Sequence, residues 1–412
     1  MQQVKIFNSA FLLNIVANCI AQLVTFGGMI IYPKLLSAKD FGLYSFCYNL
    51  ISLFLLFNGF GVTSSILQYV SKNYTNKPLQ LKYLKKSFYV GMLFNLFITI
   101  LILFYAKYGY FATPQASRLL LLMAFFPIGR LYIDILQTYL RASEQNNLFA
   151  RFTISVNIIL LITNIITTYH YGLNGLIYGT YIGYILVFIA TFKILKLNQI
   201  FYLDSQDIHI YDFIKFSSYN VFASAFSQIL FILDIVLLGY IIKDMRLIAT
   251  YKIATTIPFA LNFIPGIIIN YYYPSFVRHK EEGGDMMSLI YKLQTKMLII
   301  TGIISILGII IAKPLILLIW GVGYRDAITP FVILLCGYPL LACGRIIYGM
   351  VLAIYGMVKF SMWLNFGLLF VNLTSTYFLI KHFGIVGASF GIIIIYILSS
   401  IFAGYVVYKV VK

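Results

Sequence analysis

The sequence predicts an all-α, polytopic membrane protein with twelve transmembrane helices in two pseudo-symmetric six-helix lobes. Three observations carry this prediction. Apolar residues form 61% of the 412-residue chain, and Asp, Glu, Lys and Arg form only 10%, against about 25% in soluble domains. Apolar windows of bilayer length recur along the whole chain. A His- and Gly-bearing segment appears twice, at 170–189 and at 382–401. So few charges cannot cover so much apolar surface in water. A soluble globule, a disordered chain and a disulfide scaffold are therefore excluded, and lipid is the solvent.

A helix needs about 20 mostly apolar residues to cross a bilayer. Such windows fall at roughly 8–33, 41–70, 87–106, 118–140, 149–170, 173–195, 213–242, 247–276, 293–312, 328–353, 359–380 and 385–408. The first is too long, and too polar in its middle, for a signal peptide, and reads as a membrane helix. The second, seventh and eighth exceed a single crossing and are expected to tilt or project. Only His170–Gly172 parts the fifth from the sixth, which predicts a tight helical hairpin. Pro258 and Pro265 in the eighth, and Pro339 in the tenth, are candidate kinks. Cys19, Cys47, Cys336 and Cys343 lie in apolar runs without metal-site spacing and read as small hydrophobes.

The formal charge of +18 comes from 30 Lys and Arg against 12 Asp and Glu. In a membrane protein such an excess reports topology before it reports nucleic acid, and no nucleic-acid partner is expected. With the N-terminus inside, 18 basic residues fall on the cytoplasmic side, 10 fall outside and 2 lie in the bilayer. The bias predicts cytoplasmic N- and C-termini and an even number of spans. The longest polar stretches, 71–86, 196–212 and 278–292, are all cytoplasmic. Without a long outer loop, a polysaccharide polymerase or ligase with an external catalytic segment is disfavoured. There is no G-x-x-x-x-G-K-[ST] phosphate loop and no metal-site motif. No cofactor and no enzymatic activity are expected.

The repeat is the most informative pattern. HYGLNGLIYGTYIGYILVFI at 170–189 aligns with HFGIVGASFGIIIIYILSSI at 382–401. The alignment pairs His170 with His382, Gly172 with Gly384, Gly175 with Gly387, Gly179 with Gly391 and Tyr184 with Tyr396. Chance readily matches Ile and Leu, but rarely a His and three spaced Gly. Gly129-Arg130 likewise resembles Gly344-Arg345, Asn14 meets Asn220, Gln22 meets Gln228, and Lys72 meets Arg278. These matches divide the chain into lobes at 1–200 and 201–412, joined by the polar stretch 197–212. Six spans return the chain to its starting side, so the lobes share one orientation. A pseudo-twofold axis along the membrane normal follows, with a cavity between the bundles, as in alternating-access transporters.

At this point the residues resemble a known family. The pattern includes P-x-x-L-S-x-x-x-F-G-L-Y from Pro33 to Tyr44, LDIVLLGYI at 233–241, IPGIIINYYYPSF at 264–276, IWGVGYRDAITPFVILLCGYP at 319–339 and the repeated H-[YF]-G-x-x-G. It resembles the Wzx-type polysaccharide flippases, in the superfamily that includes the MATE exporters. The resemblance implies movement of a polyprenyl-diphosphate-linked oligosaccharide from the inner to the outer leaflet of a bacterial inner membrane, in O-antigen or capsule synthesis. It also implies coupling to H+ or Na+, and a polysaccharide polymerase and chain-length regulator as partners alongside membrane lipid. A cation-coupled MATE-like small-molecule exporter is the alternative within transport. MATE exporters typically carry a functional acidic residue in the first span, and this first span has none. Lipid II flippases usually have fourteen spans.

Four charges fall inside spans: Arg130, Asp134, Asp234 and Arg345. Each costs roughly 2.5–3.5 kcal/mol at a helix centre on insertion scales, so each is expected to face protein or a wet cavity. Arg130 and Asp134 are four apart and share a helix face, where they can simply neutralise each other. Arg345 has no acid at helical spacing. Snorkelling to the cytoplasmic interface is one reading of both arginines. The other is that they hold the diphosphate of the lipid carrier, since a guanidinium fork matches phosphate oxygens. Lys72 and Arg278 are candidates for a first contact with that anion, or are ordinary positive-inside residues. Asp234 is the leading ion-coupling candidate, with Asp134 second; a structural, hydrogen-bonded carboxylate is the competing reading. Asn14, Gln22, Asn220 and Gln228 can bond sugar hydroxyls or a neighbouring helix. Tyr271, Tyr272 and Tyr273 read as an interfacial belt.

Overall fold

A computed structural model describes residues 9–73, 76–111, 113–194 and 210–411, and all regular structure among them is helical. The elements run α1 (Ser9–Leu35), α2 (Ala38–Leu55), α3 (Val62–Lys72), α4 (Lys77–Tyr108), α5 (Pro114–Met123), α6 (Phe126–Ala142), α7 (Asn146–Ile194) and α8 (Ile210–Ile241). They continue with α9 (Met245–Ala260), α10 (Phe263–Glu281), α11 (Met286–Trp320), α12 (Ile328–Leu340), α13 (Ile347–Ile354) and α14 (Val358–Val411). Polar side chains start several of them. The Ser37 hydroxyl accepts the Asp40 N–H at 3.1 Å, and the Asn76 amide oxygen accepts that of Leu79 at 3.0 Å. Each cap satisfies one of the donors that a helix N-terminus leaves free.

Among the described residues, eight helices are long and apolar enough to cross a membrane, or up to nine if the bent pair Pro114–Met123 and Phe126–Ala142 is one span. Two of the eight fold back on themselves. In α7 the break is at Gly172 (φ 55°, ψ −133°), and in α14 it is at Gly384 (φ 58°, ψ −134°). The same geometry at repeat-related glycines is the backbone form of the sequence repeat. Side chains essentially bar this region of φ/ψ space to residues other than glycine. Beyond the turn the two arms touch. A Cβ on Gly175 would strike the Thr167 carbonyl, and one on Gly179 would strike Thr167 and Asn164. Gly387 meets the Leu379 carbonyl and Gly391 meets the Thr376 hydroxyl in the same way. Lipid tails are as apolar as leucine, so close backbone approach replaces hydrophobic drive in holding such helices together.

Four other windows are irregular rather than simply tilted. The second breaks between α2 and α3, where Gly59 (φ 56°), Phe60 (φ 52°) and Gly61 (φ 73°) are left-handed in succession. The fourth bends by 41° between α5 and α6, where Pro127 in the first turn lacks an N–H. The eighth breaks between α9 and α10, flanked by Pro258 and Pro265. In the tenth, Pro339 precedes a one-turn π segment, Leu341–Ile346, before α13. The seventh window, by contrast, lies in one continuous helix, α8.

The chain forms two compact units: Met1–Asp40 with Leu50–Ala225, and Phe41–Asn49 with Phe226–Lys412. In the first, Val62, Ile66 and Val70 of α3 pack with Leu84 of α4, Leu131, Ile135 and Leu136 of α6, and Phe213 of α8. The buried Ser65 hydroxyl donates to the Phe213 carbonyl at 2.8 Å. In the second, Phe46 lies edge-on to Tyr240 at 5.7 Å and against Gly239, while Gly42 abuts the Met245 carbonyl. Phe276, Met297, Ile347 and Val407 belong to one of its buried clusters. The polar link 197–212 lies mostly outside the described residues.

Gly172→Ala and Gly384→Ala should each lower stability by about 1–3 kcal/mol through strain alone, because a Cβ at either position has room. Thermal unfolding in detergent, with Gly302→Ala as an unstrained comparison, measures this.

Candidate functional site

The structure brings Arg130 and Asp134 together. Arg130 Nε lies 3.1 Å from Asp134 Oδ1, with the two side chains 51% and 23% exposed. The pair is one α-helical turn apart on α6, and Gly129 lets that helix press onto the Tyr184 ring of α7. Asp134 Oδ2 also accepts a hydrogen bond from the Asn58 amide at 2.9 Å. Asn58 in turn accepts from the buried Asn95 at 2.7 Å. Asn95 completes its bonding by accepting the Gly59 N–H and donating to the Pro127 carbonyl, both at 2.7 Å. Its amide thus serves the break of the second span and the start of α6 together.

Arg345 occupies a different setting. It sits on the π segment, where Gly344 allows close approach to Ser400. One guanidinium arm, Nη2, donates to Asn365 at 3.0 Å. The group lies over the Phe231 ring, 5.6 Å from its centroid. The other arm, Nη1, is buried without a hydrogen-bond partner. Buried polar atoms are rarely left so, and a π-bulge is frequent where a helix carries function. Arg345 therefore combines a fixed orientation with unused donor capacity. Among the described residues, no acid neutralises it as Asp134 neutralises Arg130.

Asp234 is 1% exposed on α8. Its Oδ2 accepts from the Tyr251 hydroxyl at 2.6 Å, and its Oδ1 is buried with no hydrogen-bond partner. Lys252 on α9 lies within electrostatic reach. Two half-satisfied charged groups, Asp234 and Arg345, thus occur in the second unit, and both act electrostatically on the buried Tyr396.

The remaining candidates do not join these clusters. Gln22, Gln228, Lys72 and Arg278 are exposed. The side chains of Asn14 and Asn220 lie outside the described residues. Tyr271 and Tyr273 are exposed, while Tyr272 packs against α11 residues and accepts from Lys296 at 3.1 Å. Sequence reasoning missed Asn58, Asn95, Tyr251, Lys252 and Asn365. An Asn or Lys within an apolar window demands a partner or a wet surface, and Asn58-Gly59 is also a turn signal. Those signals identify the residues but not their partners.

The fold and these sites describe a helical, multi-pass membrane protein. The profile of the polysaccharide biosynthesis protein family matches residues 31–329. The chain belongs to that family. No curated protein matches it in sequence. Among solved structures, it is similar to an inward-facing multidrug resistance MATE family transporter of the MOP superfamily, at 13% identity and a TM-score of 0.75, covering 96% of this chain and 98% of that one. It is also similar to the lipid II flippase MurJ in an inward closed conformation, at 16% identity and a TM-score of 0.73, covering 96% and 87%. An outward-facing MATE family transporter aligns at 14% identity and a TM-score of 0.68, covering 97% and 94%. The chain shares their fold.

Removing the Tyr251 hydroxyl takes away the side-chain hydrogen bond of Asp234. Tyr251→Phe should cost about 1–3 kcal/mol, read as a lower unfolding temperature. In Asp234→Asn the same substitution should cost less, because the two groups share one interaction.

Proposed function

We propose that the chain is a flippase that carries a polyprenyl-diphosphate-linked oligosaccharide from the inner to the outer leaflet of a bacterial inner membrane, for O-antigen or capsular polysaccharide synthesis. The carrying observation is Arg345, held by Asn365 and Phe231 with donors to spare. Membership of a polysaccharide biosynthesis family supports the substrate class. A diphosphate offers the oxygens that a guanidinium fork matches, and a charge-assisted bond in low dielectric is strong. Arg130, in the other unit, is a separate candidate contact, since an anion can compete with Asp134 for it. On this reading no covalent bond is made or broken, and a polymerase and chain-length regulator act on the product.

The twelve-span, two-lobed arrangement with cytoplasmic termini is part of the same proposal, as is alternating access. Asp234 is the preferred site for H+ or Na+ coupling. Its unpartnered, buried Oδ1 has capacity for a cation, whereas both oxygens of Asp134 already serve Arg130 and Asn58. Lys72 and Arg278 would attract the anion without orienting it.

Expression in a strain lacking its flippase tests the reading: surface polysaccharide should return with the cognate glycan. Failure in the native strain background would refute it. Loss of a charged hydrogen bond is worth about 1.5–3 kcal/mol, so Arg345→Ala should slow flipping by about tenfold or more. Arg345→Lys, which keeps the charge, should retain more. Asp234→Asn should express normally and lose ion-driven transport, measured as glycan flipping under an imposed H+ or Na+ gradient. Full gradient-driven activity in that variant would remove Asp234 from coupling.

A further inference from the structure

The break between α2 and α3 joins two features that each need explanation. Phe60 adopts a left-handed conformation (φ 52°, ψ 35°) between two left-handed glycines. A non-glycine residue there is strained, and such strain persists only where its surroundings enforce it. The enforcement is visible. The Phe60 ring packs on Phe94 at 4.7 Å, and the Gly59 N–H is held by Asn95 at 2.7 Å. Asn95 is fully buried, and its donors go to the Pro127 carbonyl and to Asn58. Asn58 then donates to Asp134, the partner of Arg130. Every link is a hydrogen bond or an ion pair within one compact unit. The chain of contacts runs from a half-exposed cation to a strained backbone break.

We infer that Asn58 and Asn95 are positioning residues that couple anion binding at Arg130 to the conformation of the Asn58–Gly61 break. This rests on the reading of Arg130 as a phosphate contact. The physical step is a competition. A phosphate oxygen that takes the Arg130 guanidinium leaves Asp134 with an uncompensated charge. The carboxylate then draws more strongly on its remaining donor, the Asn58 amide. Asn58 is the residue that enters the break, and its amide oxygen is an acceptor for Asn95. A shift of Asn58 therefore disturbs the clamp that keeps Gly59 and Phe60 left-handed. The network has a specific division of labour. When the Asn58 amide is removed, Asn95 keeps its bonds to Gly59 and Pro127, so the clamp persists but no longer answers to the ion pair. Asn58 connects the clamp to the ion pair. A neutral ligand, or one that leaves Arg130 on Asp134, would not move the break.

The test uses the full chain in nanodiscs, with inorganic pyrophosphate as the probe. Binding is measured by calorimetry, and backbone amide exchange of peptides covering 57–62 by mass spectrometry. In the wild type, saturating pyrophosphate should change exchange at the break by about threefold or more, a size expected for coupling of modest strength. Asn58→Ala should bind pyrophosphate within about twofold of the wild type and leave the break unresponsive. Asn95→Ala should give fast exchange with or without the probe. If Asn95→Ala does not fold, Asn58→Ala alone decides the matter, because it leaves the Gly59 and Pro127 bonds of Asn95 in place. Equal responses of the break in Asn58→Ala and wild type would overturn the coupling, as would an unresponsive break in wild type that binds the probe through Arg130. Binding unaffected by Arg130→Gln, or no binding at all, would instead overturn the phosphate role of Arg130 on which the coupling rests.

Discussion

The bilayer core offers no water, so any polar group exposed by an irregular backbone must find its partner inside the protein. That constraint organises this fold. An uninterrupted helix satisfies itself and can face lipid anywhere along its length, as α11 does with Leu298, Ile303, Ile306, Ile310 and Leu318 exposed. A broken helix cannot. The break after α2 frees backbone groups, and the chain supplies Asn95 from α4 to meet one of them. The bend before α6 presents the Pro127 carbonyl, and the same Asn95 donates to it. One buried amide therefore makes two irregularities tolerable together. Asn95 is an expensive residue to bury alone and an economical one here, because all its bonds are made.

The same constraint explains why the repeat conserves backbone devices more faithfully than chemistry within this one chain. Gly172 and Gly384 share their dihedral angles to within a few degrees, and each lets the two contacting arms of its helix reverse direction. The Gly-Arg pairs also recur, each glycine admitting a neighbour to the helix face. The arginines diverge. Arg130 is neutralised within one turn, and Arg345 is held by a neutral amide and a ring. An ion pair adds little net charge to its surroundings. A lone guanidinium adds a full positive charge, which only an anion or solvent can offset. The two halves thus present one framework with unequal electrostatics.

Legibility in the sequence followed the range of the interaction. The apolar character of the helices and the hairpin at Gly172 depend on residues close in sequence, and were readable. The Arg130–Asp134 pair, four residues apart, was readable for the same reason. The breaks were harder. Asn58-Gly59 is a local turn signal, but an apolar window around it reads equally well as one long tilted helix. Asn95 reaches Gly59 and Pro127, each more than thirty residues away. Nothing in its neighbourhood, MLFNLF, names those partners. Asn365 and Arg345 are twenty residues apart on separate helices, and only the fold pairs them. The π segment that carries Arg345 has no local signature beyond Pro339.

The division of carboxylates follows from these surroundings. A coupling carboxylate has to exchange its cation in each cycle, so its other bonds must leave an oxygen available. Asp134 spends its oxygens on Arg130 and Asn58, and adding a cation there would first break the ion pair. Asp234 uses one oxygen on Tyr251 and keeps the other unpartnered in a buried place. Lys252 on α9 acts on it electrostatically. An uncompensated buried carboxylate is unstable in that state and gains from taking a proton or a metal cation. The arrangement that makes Asp134 suited to sensing what happens to Arg130 therefore makes it unsuited to carrying an ion. The incomplete bonding of Asp234, costly to the resting fold, is the property that ion coupling requires.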